Sequence, residues 1–410
     1  MIRRLKALVY GAGIAALTLL ALPISGRADV PPVPFGAFRG FNVIYIQMES
    51  IQQFLIGSKL QGQEVTPNLN RLVQRGLSFT RCYPQTGMGN TSDAELLAMC
   101  SLLPLKDHGV FNLLRSPIPS LPQQLKAMGY HTYAFHGNSP SVWNRRRVYP
   151  LIGIDKYYHR GKLVNDDVVG LGISDMSLLR QTGHVMFKRK LLKEPFFALV
   201  MTLSSHHPYK VKGWNFPKGP FEGTVLGDYL ASANYADHAL GEFIDALEGS
   251  DLARRTLVVI YGDHRAPGLE MERVNQFLQE NQMKPISSEG WKQRDFSRVP
   301  FIVLIPREDG TYEAGSSDIP CGQWDISPTV AHLLGFKMPN ALGEDLLEEP
   351  RGLVVFPQEE IIYRDYWSAF GGKTLVDMTM ERPVVPMVLN PQWDAARRAK
   401  EMSLRTLGLK

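Results

Sequence analysis

Residues 42–50 read Asn42-Val43-Ile44-Tyr45-Ile46-Gln47-Met48-Glu49-Ser50, an apolar run of strand length that stops on a carboxylate and a hydroxyl. Its apolar side chains do not alternate with polar ones. That pattern marks a strand covered on both faces, as in a mostly parallel sheet. Working outward, similar runs recur at residues 130–135, 196–203, 256–261 and 300–305. Between them lie helix candidates. Residues 235–247 put Tyr235, Ala239, Leu240, Phe243, Ile244 and Leu247 on one face, and residues 121–128 and 326–334 carry similar stripes. The alternation predicts an α/β fold, doubly wound around a mostly parallel central sheet. Beyond about Gly335 the periodicity weakens, and residues 352–364 read as a small antiparallel addition at the carboxyl end.

The 410 residues are 44% hydrophobic and 21% charged, ordinary for a globular protein and unlike a disordered or all-membrane chain. At the amino end Arg3, Arg4 and Lys6 precede an uncharged stretch over residues 7–26 that leads into Gly26-Arg27-Ala28. This order predicts an export segment over residues 1–28, cleaved as a signal peptide or kept as an N-terminal membrane anchor, with everything after it outside the cytoplasm. The expected organisation continues with a Pro-rich linker at 29–40, a catalytic domain at 41–370 and a basic tail at 371–410. The tail gathers Arg397, Arg398, Lys400, Arg405 and Lys410, which suit a solvated helix or contact with anionic lipid. Cys82, Cys100 and Cys321 supply neither a disulfide framework nor a zinc motif and read as packed thiols, with room for one bridged pair after export. A net charge of +5, scattered along the chain, is too mild for a nucleic-acid partner.

Sites in open α/β sheets form beyond the carboxyl ends of the strands. Four of the runs end in residues that bind metals or move protons: Met48-Glu49-Ser50, His136-Gly137-Asn138, Ser204-Ser205-His206-His207-Pro208 and Gly262-Asp263-His264. Any one of these is readily a capped turn; four on one face point to chemistry. Carboxylate with imidazole suits zinc or manganese better than the oxygen-loving calcium and magnesium. A nucleophile candidate lies in Gln85-Thr86-Gly87-Met88-Gly89-Asn90-Thr91-Ser92-Asp93-Ala94-Glu95, a glycine-containing loop feeding an apolar helix. The Ser92 and Glu95 spacing is that of a capping box, which places Thr91 just before the first helical turn. A hydroxyl there, facing a divalent ion, can attack phosphorus while free backbone N–H groups hold the phosphate oxygens. Thr91 equally suits a plain capping role.

Taken together these segments resemble the extracellular domain of lipoteichoic acid synthases, the phosphoglycerol transferase branch of the sulfatase and alkaline phosphatase superfamily. The likeness runs over residues 42–365. It implies that a divalent ion, usually manganese, with zinc or magnesium as alternatives, is held by Glu49, Thr91, Asp263 and His264. Thr66-Pro67-Asn68-Leu69-Asn70-Arg71-Leu72 looks like the family's helix before the nucleophile loop. His136-Gly137-Asn138 with Trp143-Asn144-Arg145 is similar to its glycerophosphate-binding segment, and residues 202–209 to its His-containing loop, with His206 in register. Two departures stand out. The synthases carry several transmembrane helices before this domain, whereas this chain has one hydrophobic segment at most. The Cys/Ser-x-Pro-x-Arg sequence from which true sulfatases make formylglycine is missing, so sulfate-ester hydrolysis is not expected whatever the family label.

The implied reaction is transfer of glycerol phosphate from phosphatidylglycerol, at a membrane surface, to a glycan or polymer acceptor through a phospho-Thr91 intermediate. In it Arg145 forks onto the phosphate, or else belongs to a solvated basic turn over 145–147. Trp143 walls the glycerol or merely packs. His206 protonates the leaving group, with His207 able to take its place, and His136 completes the pocket. The alternatives are a phosphodiesterase or phosphatase on the same scaffold, with water taking the second step, and an inactive binding module. The intact Glu49, Thr91, Asp263 and His264 set speaks against the last.

Overall fold

The computed structural model describes residues 28–188, 190–384 and 389–409; the expected export segment before Ala28 lies outside them. Among the described residues no helix is long and apolar enough to cross a membrane. The centre is a nine-stranded sheet. Its strands are β1 (Ala28–Asp29), β2 (Asn42–Met48), β3 (Leu77–Phe79), β4 (His131–His136), β5 (Lys156–Tyr158), β6 (Phe196–Met201), β7 (Thr256–Gly262), β8 (Phe301–Leu304) and β9 (Gly315–Ser317). Across the sheet they run in the order β1-β9-β3-β8-β7-β2-β6-β4-β5. The central block β7-β2-β6-β4-β5 is parallel throughout. β8 runs antiparallel to both its neighbours, and β1 pairs antiparallel at the edge, so the sheet is mostly parallel as the apolar runs require.

β2 shows why those runs lack alternation. Ile44, Ile46 and Met48 enter one hydrophobic core with α1 (Pro67–Arg75), α5 (Asp175–Gly183) and α6 (Val225–Glu248). Val43 and Tyr45 enter a second core on the other face with α2 (Thr91–Cys100), α3 (Leu121–Ala127) and α7 (Ile326–Leu334). Between α3 and α5 lies a short helix, α4 (Arg145–Leu151). Helices on both faces of a mostly parallel sheet make the fold doubly wound, as expected. α6 starts ten residues before its amphipathic stripe. Thr224 caps it by accepting from Gly227 N–H, and its first half is buried nearly all round, so there was no polar face to read.

Three boundaries change. The antiparallel addition is larger than 352–364: strands β10 (Leu353–Phe356), β11 (Glu360–Tyr363), β12 (Tyr366–Ala369), β13 (Thr374–Asp377) and β14 (Arg382–Pro383) form one five-stranded sheet, so a domain end at 370 would cut it. The basic tail is a docked helix, α8 (Asn390–Thr406), whose Trp393 and Ala396 are buried against Leu97 and Leu103. Trp393 Nε1 donates to Ser368 Oγ and Ser403 Oγ to the Leu103 carbonyl, while Arg397, Arg398 and Lys400 stay exposed on the other side. The 29–40 segment is clamped to the body and does not act as a spacer. Gly36 and Phe38 donate their N–H groups to the His332 and Leu333 carbonyls, and the His332 ring bonds to the Val33 carbonyl. The three cysteines are buried and free.

Candidate active site

The parallel block is in register, with Gly262 opposite Met48 and both Gln47 and His136 opposite Met201. The residues that follow these strands therefore emerge at one level of one edge. Glu49 and Asp263 leave neighbouring strands together, and His264 follows at once. Donor atoms of Glu49, Asp263 and His264 lie within 4.8 Å of one another. His264 Nε2 is 3.4 Å from Glu49 Oε1 and 3.4 Å from Asp263 Oδ2. Thr91 Oγ1 reaches the same point from α2, 3.3 Å from Glu49 Oε2 and 3.4 Å from His264 Nε2. All four residues are buried.

Each ligand atom is aimed by what binds the rest of its side chain. Asp263 Oδ1 accepts from the Ser50 and His264 N–H groups at 2.7 Å each, while Oδ2, fully buried, makes no hydrogen bond. His264 Nδ1 lies 3.0 Å from the Arg265 carbonyl, so Nδ1 carries the proton and Nε2 presents a lone pair. Ser50 Oγ donates to Glu49 Oε1, and the Glu49 backbone is held by Thr202 Oγ1 and Ser205 Oγ. Gln323 Nε2 donates to the Gly262 and Asp263 carbonyls. Burial and the neighbouring Glu49 charge push the Asp263 carboxyl up to about 8. Burial lowers the His264 pKa, but the Asp263 and Glu49 charges outweigh it and the net shift is upward. Two desolvated carboxylates, one with an oxygen that makes no hydrogen bond, could hold a cation between them. The spacing fits one, since a tetrahedral ion with ligands at about 2.0–2.1 Å separates them by about 3.4 Å.

The nucleophile loop is built differently from a capping box. Asn90, with φ 41°, is the residue before α2 and gives no side-chain cap, and Ser92 Oγ donates backward to the Gly89 carbonyl. Asp93 organises the loop, its Oδ2 accepting the N–H groups of Gly87 and Gly89 at 2.9 Å each. Both glycines are required by close approach. A Cβ on Gly87 would sit 1.9 Å from the Leu105 carbonyl oxygen, and one on Gly89 2.1 Å from Asp93 Oδ1. Burial raises the Asp93 carboxyl to about 7 despite those amides. Gln47 Nε2 donates to the Thr91 carbonyl at 3.2 Å, fixing the start of the helix against β2.

Glu95, expected in the capping box, is buried on α2 and binds Arg145 instead. Arg145 Nε and Nη2 both donate to Glu95 Oε1, at 2.9 and 2.6 Å, and Tyr149 Oη donates to Oε2 at 2.8 Å. Arg145 is 1% exposed. Burial lowers its pKa, but the Glu95 charge together with Tyr149, Tyr157 and the Glu95 hydrogen bond outweighs burial and the net shift is upward. The fork expected on a phosphate is thus spent on a carboxylate, and Arg145 is no part of a solvated turn either. Arg146 and Arg147 are the exposed pair. Trp143, half-buried with φ 54°, lays its ring edge over Gly109, whose own neighbour is Gly89, so it stands beside the nucleophile loop.

His136 ends β4 and is buried, its Nδ1 bound to the Met201 carbonyl at 3.1 Å. Burial, then the Arg145 and His206 charges, lowers it to about 3, so it is neutral with Nε2 free to accept. His206, half-buried, shares that surrounding, and its Nδ1 is 2.7 Å from the His207 carbonyl. His207 turns outward against Tyr209. The sequence reading missed Asp93, Gln47, Gln323 and Asp175, whose Oδ1 accepts the Leu203 and Ser204 N–H groups ahead of His206. Only Asp93 left a signal, a carboxylate in the first turn after two glycines.

A doubly wound, mostly parallel sheet with a separate antiparallel sheet at the carboxyl end is the fold of the alkaline phosphatase and sulfatase class. The chain belongs to the Sulfatase family, whose model matches residues 41–336. It is similar to lipoteichoic acid synthase 2 of Bacillus subtilis, 31% identical over 361 residues, covering 84% of this chain and 53% of that protein. The lipoteichoic acid synthase of Staphylococcus aureus is 32% identical over 352 residues, covering 83% and 53%. The chain thus spans about half the length of these relatives. The solved structure of the lipoteichoic acid synthase LtaP from Listeria monocytogenes matches with a TM-score of 0.82 at 27% identity, over 91% of this chain and 94% of that one.

Proposed function

We propose that the chain is an extracytoplasmic, metal-dependent phosphoglycerol transferase that moves glycerol phosphate from phosphatidylglycerol to a glycan or polymer acceptor through Thr91. The observation that carries this reading is the Thr91 hydroxyl, buried within 3.4 Å of both Glu49 and His264. Glu49, Asp263 and His264, with Thr91 itself, would hold one divalent ion, manganese by the family resemblance. When bound, such an ion lowers the pKa of a hydroxyl beside it and neutralises phosphate oxygens.

In the first half-reaction Thr91 Oγ1, entering as the alkoxide, bonds to phosphorus as the bond to the diacylglycerol oxygen breaks. His206 Nε2 gives that oxygen its proton. In the second, an acceptor hydroxyl bonds to phosphorus, its proton passes to His206 Nε2, and the Thr91 ester breaks. Neutral His136 accepts a hydrogen bond from the glycerol at Nε2, and Trp143 walls it. Arg145 acts at one remove by holding Glu95, one helical turn beyond Thr91.

Mass spectrometry after exposure to phosphatidylglycerol should find a phosphoglycerol adduct on the peptide containing residues 87–95. Thr91→Ala should abolish it and the turnover while changing stability by no more than about 1 kcal/mol, the scale of one hydrogen bond. An adduct on another residue, or most activity kept by Thr91→Ala, would overturn the mechanism. Rapid loss of the adduct to water without any acceptor would make the chain a hydrolase.

A further inference from the structure

The mouth of the site carries apolar side chains that nothing among the described residues covers. Met88 is 63% exposed on the nucleophile loop, and Val142, beside Trp143, is 37% exposed. Beside His136, Val168 and Leu171 are 48% and 49% exposed. These belong to one rim. The Gly87–Asn90 turn meets Gly109 and, through it, the Trp143 ring. Asn138 accepts the Arg160 N–H, and Ile173 N–H donates to the Gly137 carbonyl. A hairpin of Val168–Val169 and Gly172–Ile173 is thereby fixed directly beside His136, with Leu171 at its tip.

The exposed charge around these side chains is mostly basic. Arg146, Arg147, Arg160 and Lys162 are exposed on the same segments. Of the two acids there, Asp166 pairs with Arg180 and Ser177, while Asp167 accepts from the Ser174 hydroxyl and keeps its charge. Four of the ten exposed large hydrophobics among the described residues thus stand around one opening, interleaved with cations. Apolar tips among basic side chains match the boundary between phosphate headgroups and acyl chains, where the tips enter the acyl region and the cations meet lipid phosphates.

We infer that this rim docks on an anionic phospholipid bilayer, with Val168 and Leu171 on the hairpin as its inserting tip, so that the site opens onto the headgroup layer. The inference deepens the proposed function by saying how a membrane donor reaches Thr91, and it rests on that reading for its purpose but not for its geometry. The buried state of Cys82, Cys100 and Cys321 allows a single surface label. In the full-length chain, Leu171→Cys carries an environment-sensitive fluorophore, with Met402→Cys on α8, 43% exposed, as the control position.

With vesicles of phosphatidylcholine and phosphatidylglycerol, the label at 171 should shift to the blue and be quenched by bromine-substituted acyl chains, and the label at 402 should not. An anchor elsewhere in the chain cannot produce that difference. In parallel, Val168→Asp with Leu171→Asp should lower turnover of vesicle-borne phosphatidylglycerol by at least about tenfold, and leave cleavage of a short-chain, water-soluble analogue unchanged. Equal responses at 171 and 402, or no shift at 171, would overturn the docking. So would equal loss on both substrates, which would assign the rim to the site itself or to another partner. Embedding at 171 in a chain that turns over neither substrate would leave the docking standing and defeat the proposed function.

Discussion

Replacing Arg145 by Met separates the role given to it by the structure from the one its sequence context implied. Arg145 is 1% exposed and Glu95 is fully buried, and the pair is closed by two N–H donors on Oε1 with the Tyr149 hydroxyl on Oε2. Methionine fills a comparable volume but leaves the Glu95 carboxylate buried with one neutral donor. Breaking a fully buried pair from one side costs about 3–5 kcal/mol, a large part of a total of about 5–15 kcal/mol. Urea unfolding followed by circular dichroism should show the midpoint falling steeply. Adding Glu95→Gln removes the stranded charge, so the double variant should be less destabilised than the sum of the two single ones. Arg145→Lys keeps charge without the fork and should fall between. An unchanged urea midpoint in Arg145→Met, together with lost turnover, would refute this reasoning and return the guanidinium to the phosphate.

Asp263→Asn should bind manganese more weakly by at least about 10–100-fold, the range seen when only a group orienting a ligand is removed; isothermal titration of the two proteins checks it, and equal affinity would disprove the ligand set. His136 is held at about 3 against an ordinary 6.5, mainly by burial. Between those values the unfolded chain binds a proton that the folded chain does not, so this group's contribution is complete above pH 6.5. It falls as pH drops toward 3, by up to about 1.4 kcal/mol per pH unit. His136→Gln should flatten that acid slope in urea titrations, and an unaltered slope would count against a neutral buried ring. Sulfate-ester cleavage should be negligible beside phosphodiester cleavage, because Thr91-Ser92-Asp93-Ala94-Glu95 cannot yield formylglycine; strong arylsulfatase activity in metal-replete protein would contradict this.

What was legible in the sequence was local. Glu49 and the Asp263-His264 pair follow a doubly buried strand directly and His136 ends one, so the strand pattern places them without knowledge of its neighbours. The parallel register then does the assembly, which is why residues more than two hundred positions apart meet. What could not be read depends on pairing across long separations. Ser92 and Glu95 have capping-box spacing, yet Glu95 is claimed by Arg145, fifty residues on, and a buried guanidinium outcompetes a helix-end amide. The tail's basic residues dominate its composition, but Trp393, Ala396 and Ser403, which dock it, carry no periodic signal beyond a single stripe. The all-round burial of early α6 likewise erased the amphipathic pattern that announces a helix.

The backbone around the site carries a further consequence of this assembly. Ser50 follows the Glu49 ligand with φ 56°, Asn90 precedes Thr91 with φ 41°, and Trp143 and Asn144 both stand at φ 54°. Non-glycine residues in the left-handed region cost about 1–3 kcal/mol each and persist only where surrounding contacts overdetermine them. Those contacts are present. The Tyr229 hydroxyl holds the Ser50 carbonyl, Asp93 gathers the amides on either side of Met88, and Asn144 Nδ2 donates to Asn112 Oδ1 at 2.7 Å. Strain at three separate segments, each next to a residue facing the same opening, is hard to attribute to folding needs, since glycine at any of them would relieve it. It fits a site whose side chains are aimed in advance. Phosphoryl transfer draws chiefly on positioning and on neutralised charge, and both need the donors set before substrate arrives. The two buried cores on either face of β2 supply the rigidity that keeps those strained segments in place.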